Sequence, residues 1–378
     1  MRASFRIGRI AGVPVGVHWS LLVIGGLLAS SLAVQIAGDG DVSAVAWFAA
    51  AGIAIAFFAS ILAHEVGHAL VARRFGIGTD RIDLWVLGGV AQLRSEPATP
   101  RAAVTIAFAG PATSGLLAGV FTGLWAVLEA NGAGVVAVDS VLWLALANGA
   151  VAIFNLLPAS PLDGGRILHG LLWRIRHDRD RAGVTTARIG SVFGAVLVAI
   201  GVWQFAQGGS GLWTTVVGFF ILSGSRVEEH MYRTRSALSV FTVGDVVSPG
   251  WLRFPAWSPV SAVFASGREV RAGDIVIVED ADPVTGSSGV ADRRPVGYVT
   301  VAQLQAVLPA YHGDVQLRDL MVPLGTAPRA ERSEPLTAVL DRMGRIVPML
   351  TVWDGSRLAG IVTGRELAAA SERLAHRG

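Results

Sequence analysis

The stretch Ala63-His64-Glu65-Val66-Gly67-His68-Ala69-Leu70 lies inside an apolar run from about Ala44 to Ala72. A bilayer-crossing helix needs about 20 such residues, so two histidines and a glutamate fall within a candidate membrane span. At about 100° per residue, His64 and His68 point within about 40° of each other, one turn apart, with Glu65 close to the same face. Two imidazoles so placed can hold one Zn2+, and the adjacent carboxylate can act on water at that ion. An acidic side chain at mid-bilayer costs about 2.5–3.5 kcal/mol on insertion scales, which marks the position as functional. The competing reading is three polar residues satisfied by helix–helix hydrogen bonds.

A third ligand is offered far along the chain. Asn155-Leu156-Leu157-Pro158-Ala159-Ser160-Pro161-Leu162-Asp163-Gly164-Gly165 breaks a helix twice with proline and ends in a glycine turn. Irregular backbone at membrane depth is tolerated only where protein buries it or water reaches it. The break can therefore carry Asp163 into a wet cavity facing the histidine pair. Two histidines and one carboxylate leave a fourth zinc position open, as catalytic sites require. Asn155 is uncharged and suits hydrogen-bonding a substrate carbonyl or an oxyanion. Taken alone, Pro-rich Asp-Gly-Gly would read as an ordinary turn.

The rest of the composition agrees with a membrane setting. Of 378 residues, 52% are hydrophobic and 16% charged, and the net charge is +3. Soluble domains carry about 25% charged residues, so an ordinary cytosolic enzyme and a disordered chain are both disfavoured. There is no cysteine, which excludes disulfides, thiolate zinc ligands and a thiol nucleophile. Six apolar stretches read as spans: Val17 to Ile36, Ala44 to Ala72, Ala103 to Leu128, Val135 to Leu157, Ile189 to Phe205, and the shorter Leu212 to Gly224. Arg2, Arg6 and Arg9 before the first stretch also fit a signal peptide; His18 and Trp19, suited to a membrane interface, favour a retained span. Every basic residue is arginine, and the arginines alternate between loops. Arg2, Arg6, Arg9, Arg73, Arg74, Arg81, Arg94, Arg101, Arg166, Arg174, Arg176, Arg179, Arg181, Arg226, Arg233 and Arg235 share one side, while the opposite loops hold Asp39, Asp41, Glu129 and Asp139. The positive-inside rule then places both termini in the cytoplasm. So small a net charge gives no argument for nucleic acid.

Two further features follow. Asp80 to Leu93 has strand-like residues on either side of Gly88-Gly89, which suggests a hairpin at the membrane edge. An exposed strand there could capture an unwound substrate by backbone pairing. Beyond a linker at 225–239, strand-like and helical runs alternate, and Pro295 to Thr300 and Leu358 to Thr363 both lead into a helix. That is an internal repeat of roughly 70 residues, long enough to be a small domain.

Together, His64-Glu65-Val66-Gly67-His68, Gly110-Pro111, the 155–165 break and Gly12-Val13-Pro14-Val15-Gly16-Val17-His18-Trp19 resemble the site-2 protease family of intramembrane zinc metalloproteases. The likeness is greatest to a six-span subgroup bearing cytoplasmic tandem cystathionine-β-synthase (CBS) domains, and covers essentially the whole chain. The resemblance implies a polytopic α-helical membrane domain at 1–224 with a small β-hairpin, a linker, and an α/β CBS pair at 240–308 and 309–378. It implies one Zn2+ bound by His64, His68 and Asp163, Glu65 as general base, and a membrane-tethered substrate cut within or beside its transmembrane segment. It also implies a multi-pass protein of the cell membrane, with a homodimer through the CBS pair. Where the family usually has Gly-Pro-x-x-Asn, this chain has Ser114. CBS pairs often hold adenine nucleotides through a Thr or Ser followed three residues later by Asp; here Thr300 precedes Gln303 and Thr363 precedes Glu366. A nucleotide-free docking or dimerisation module is therefore favoured over a nucleotide site at Thr300, Thr363 and Glu366. Two other classes stand beside the protease: a CBS-gated transporter, which would spread charges or inverted repeats over several spans, and an inactive scaffold of the same fold.

Overall fold

Long runs of Ala, Leu, Val and Ile, closed by capping residues, set the main helices. In the computed structural model, residues 4–38, 40–85, 88–247, 251–267, 270, 274–280, 294–343 and 349–366 are described, the side chains at 340–343 excepted. Arg2, Asp39, residues 86–87 and residues 367–378 of the second repeat lie outside them. The chain divides into two compact units, Met1–Arg233 and Thr234–Gly378.

The first unit runs β1 (Phe5–Ile10), β2 (Val13–Val17), α1 (Trp19–Ala37), α2 (Ala44–Arg74), β3 (Thr79–Trp85), β4 (Gly88–Leu93), α3 (Pro100–Ala130), α4 (Val135–Asn155), α5 (Asp163–Arg176), α6 (Arg179–Ala206) and α7 (Leu212–Leu238). Ser43, Thr99 and Asp178 cap α2, α3 and α6 by accepting from the backbone N–H groups of Ala46, Ala102 and Arg181. Each cap satisfies an N–H that the helix itself cannot.

Five of these helices, α1, α2, α3, α4 and α6, are long and apolar enough to cross a membrane. The sixth expected span is the first half of α7. Its apolar part ends at Gly224, short of the about 20 residues a crossing takes, and the segment expected as a linker continues the same helix to Leu238. Glu229 explains the continuation: it pairs with Arg233 one turn on at 2.6 Å and with Arg188 of α6 at 3.0 Å.

The helical unit is inside-out relative to a soluble protein. Phe48, Ile55, Leu116, Leu146, Ile153 and Val192 are exposed, while Ser60, His64, His68, Ser114 and Asn148 are buried. Lipid can cover the former; only protein partners can satisfy the latter. Small residues let the helices close: Ala29, Ala33, Ala50 and Ala54 pack with Leu32, Ile53 and Leu144. Asn148 Nδ2 donates to Ser60 Oγ at 3.3 Å, joining α4 to α2 one turn before His64.

The expected hairpin is part of a four-stranded sheet, ordered β1-β2-β3-β4. β3 and β4 are antiparallel, and β2 lies parallel to β3. The β1–β2 hairpin had no place among the expected elements. Its signal is the alternation Phe5-Arg6-Ile7 followed by a turn at Ala11 and Gly12, both with positive φ (51° and 84°).

The second unit comprises α8 (Val243–Val246), β5 (Leu252–Pro255), α9 (Val260–Phe264), β6 (Ile275–Asp280), β7 (Arg294–Thr300), α10 (Val301–Ala306), α11 (Leu317–Leu320), β8 (Val322–Pro323), β9 (Arg329–Glu331), α12 (Leu336–Met343), β10 (Met349–Asp354) and β11 (Arg357–Thr363). The sequence repeat is a repeat of topology. β5 runs parallel to β6, which pairs antiparallel with β7; β9 runs parallel to β10, which pairs antiparallel with β11. A helix follows the third strand of each set. Val276, Val278, Val299 and Leu304 fill one core, and Leu336, Val339, Leu350, Val352 and Val362 the other.

Candidate metal centre

Helix α2 sets His64 and His68 on one buried face, with ring centroids 4.9 Å apart. Asp163, the first residue of α5, meets them there. Its Oδ2 lies 3.1 Å from His64 Nε2 and 3.1 Å from His68 Nε2, and all three side chains are buried. Ligands on zinc at about 2.0–2.1 Å in a tetrahedron lie about 3.3 Å apart, so the spacing suits one ion.

The turn that delivers Asp163 depends on its glycines. A Cβ on Gly164 would stand 2.2 Å from the Leu157 carbonyl oxygen, and one on Gly165 2.7 Å from the Ser160 nitrogen. No other residue lets α5 start this close to the preceding chain. The turn thus sets one carboxylate oxygen against the Nε2 atoms of two imidazoles in a buried setting.

The outer nitrogens are also fixed. His68 Nδ1 lies 2.7 Å from the Ile106 carbonyl, which can only accept, so Nδ1 carries the proton and donates. That tautomer leaves the Nε2 lone pair free for a metal. His64 Nδ1 bonds the Ser114 hydroxyl at 2.9 Å. Both partners lie on α3, on either side of Gly110. A Cβ there would stand 2.2 Å from His68 Nε2 and 2.4 Å from His64 Nε2. The missing side chain is thus the space beside the two Nε2 nitrogens. Donor set, tautomer and space all fit Zn2+.

Glu65 sits on the flank facing the sheet. Its Oε2 accepts from the Ala91 N–H of β4 at 3.0 Å, and a Cβ on Gly89 would come within 2.3 Å of its Cγ. Among the described residues β4 pairs only with β3, so its other edge runs beside this carboxylate.

The structure thus brings together His64, His68 and Asp163 and sets Glu65 alongside. Asn155 stands apart: its Nδ2 donates to the Val151 carbonyl at 3.0 Å, and no hydrogen bond joins it to the other three among the described residues. In the second unit, Thr300 caps α10 in a capping box with Gln303, and the Thr363 hydroxyl donates to Glu366. Sequence reasoning did not reach the Ile106 carbonyl, the Ala91 N–H or the steric role of Gly110. Backbone partners leave no residue signature; Gly110 left one, a glycine next to Pro111 within a span.

Residues 52–136 and 123–200 match Peptidase family M50. A Mycobacterium tuberculosis protein named as zinc metalloprotease Rip3 is 38% identical over 376 residues, covering 97% of this chain and 93% of its own length. A Synechocystis protein named as zinc metalloprotease sll0528 is 33% identical over 265 residues, 68% of each chain. Among solved structures, the site-2 protease from Methanocaldococcus jannaschii aligns with 60% of this chain and 94% of its own at 24% identity and a TM-score of 0.43. This chain is a zinc metalloprotease and belongs to peptidase family M50, the site-2 protease family.

Proposed function

We propose that the chain is an intramembrane endopeptidase, with His64, His68 and Asp163 holding the zinc ion and Glu65 as the general base. The observation that carries this reading is one buried carboxylate oxygen within 3.1 Å of both histidine Nε2 atoms, with a second carboxylate on the adjacent residue of the same membrane helix. Bound there, zinc supplies Lewis acidity toward a peptide carbonyl and toward water. The protein's own groups do the rest. Glu65 takes the proton from the attacking water and passes it to the leaving amine nitrogen, a transfer that needs a titratable group. The free edge of β4 can align an extended substrate beside Glu65, and an extended form is required because a helix hides its peptide bonds. Asn155 is assigned to the substrate carbonyl or oxyanion, a role for the second N–H of its amide, the first being donated to Val151.

The substrate is a membrane-tethered protein cut within or beside its transmembrane segment. The arginine distribution supports cytoplasmic termini in the cell membrane, an arrangement that takes a sixth crossing by α7 beyond the five helices long and apolar enough. The second unit is read as a tandem CBS pair, a reading supported by its repeated topology. Because a capping box engages Thr300, and Thr363 already donates its backbone N–H and its hydroxyl to Glu366, its role is docking or dimerisation in preference to nucleotide sensing. A transporter finds less support, since polar groups converge on one focus within the helical unit.

The test is Glu65→Gln, which preserves shape. The purified variant should hold zinc like the parent and lose cleavage of a membrane-embedded substrate. Near-normal turnover would remove Glu65 from the mechanism.

A further inference from the structure

The loop before Asp163 is held by a residue with no part in the chemistry above. The Ser225 hydroxyl of α7 donates to the Ser160 carbonyl at 2.6 Å, and both residues are buried. Ser160 lies three positions before Asp163, in the turn that delivers it. Glycines bring α6 and α7 close enough for this contact. A Cβ on Gly190 would stand 2.4 Å from the Ser225 oxygen and 2.9 Å from the Ser160 nitrogen, and one on Gly224 would stand 3.0 Å from Pro161 Cδ. Beside the hydrogen bond, Ile221 of α7 packs with Ala159 and Leu162 of the turn, flanked by Phe193 and Leu197 of α6. The Ser160 carbonyl belongs to irregular backbone in a dry setting, where an unmade hydrogen bond is costly.

We infer that Ser225 is a positioning residue for the metal centre: through Ser160 it fixes the turn that presents the Asp163 carboxylate to His64 and His68. The inference rests on Asp163 being a zinc ligand. Outer groups that orient a ligand commonly set metal affinity within a factor of about 10–100. Ser225 acts one step further out, through the backbone, so the lower end of that range applies.

The test uses the full chain, purified in detergent and loaded with zinc, and follows release to excess chromogenic chelator. Ser225→Ala should release zinc about 10-fold faster than the parent. Gly190→Ala, which crowds the same serine from α6, should do likewise. Thr186→Ala, a buried truncation one turn away on α6, bonded only to the Ala182 carbonyl among the described residues, should release at the parent rate. With Co2+ in place of zinc, the Ser225 variant should also change the intensity of the visible bands, which report ligand geometry. Parent-like release and spectrum in either folded variant, with Asp163→Ala releasing at once, would overturn the positioning role and leave the ligand standing. Parent-like release from Asp163→Ala would remove the ligand and this inference together.

Discussion

Gly110→Ala adds one methyl group where the structure has no room. The new Cβ would lie 2.2 Å from His68 Nε2, 2.4 Å from His64 Nε2 and 2.6 Å from His68 Cε1, against an ordinary contact limit near 3.4 Å. Each ring must therefore retreat by about 1 Å, whereas metal–ligand distances tolerate about 0.2 Å. The rings are not free to do so, because His64 Nδ1 is bonded to Ser114 and His68 Nδ1 to Ile106, both on the helix that carries the new methyl. A loss of zinc affinity of 100-fold or more is expected, about 3 kcal/mol or greater. Helix propensity works the other way: alanine in place of glycine favours a helix by about 0.8–1.0 kcal/mol. The variant should therefore fold normally, elute as the parent does from size exclusion in detergent, and show helical circular dichroism of unchanged amplitude. Its zinc, measured by elemental analysis after dialysis against a buffered metal, should be absent. A variant holding zinc with parental affinity would refute the account of Gly110 as the space beside the ligand nitrogens.

Other substitutions probe the surroundings. Ser114→Ala removes the partner of His64 Nδ1 and should weaken zinc binding about 10-fold, read by competition with a chelator of known affinity. Gly89→Ala drives a methyl to within 2.3 Å of Glu65 Cγ; it should lower the cleavage rate about 10-fold or more with zinc content unchanged. On α5, burial holds His169 below its ordinary value of 6.5 while its Nε2 donates to the Arg179 carbonyl. The unfolded chain thus binds this proton more readily. Its contribution to stability is complete above 6.5 and is lost as pH falls through 6.5 toward the folded value. Thermal midpoints between about pH 8 and pH 5.5 should drop less in His169→Asn than in the parent.

The core of the site was legible because its signal is covalent and periodic. His64, Glu65 and His68 lie within one helical turn, and any polar residue in such a run demands a partner. Asp163 was legible because proline and glycine mark a break wherever they occur. The remainder depends on what approaches from elsewhere. Ile106 and Ala91 act through main-chain groups that every residue possesses, so nothing in their identity announces them. Asn155 suits a carbonyl-binding role by type, yet the structure engages its amide one turn back on its own helix. The 225–239 segment read as a linker because charges end its apolar run; those same charges pair along α7 and across to α6 and extend the helix. In β1, the arginines that alternate with Phe5 and Ile7 read as topological charge, but their period of two is also that of a strand.

The central claim is that zinc is held by His64, His68 and Asp163 within the membrane domain. Zinc-edge X-ray absorption on the purified full-length protein tests it most directly, together with metal stoichiometry. The account predicts about one zinc per chain, with scattering from two imidazoles and light-atom ligands at about 2.0–2.1 Å, and loss of the metal in Asp163→Ala. Stoichiometric zinc without the signature of two imidazoles, or an Asp163→Ala protein that keeps its zinc unchanged, would contradict it.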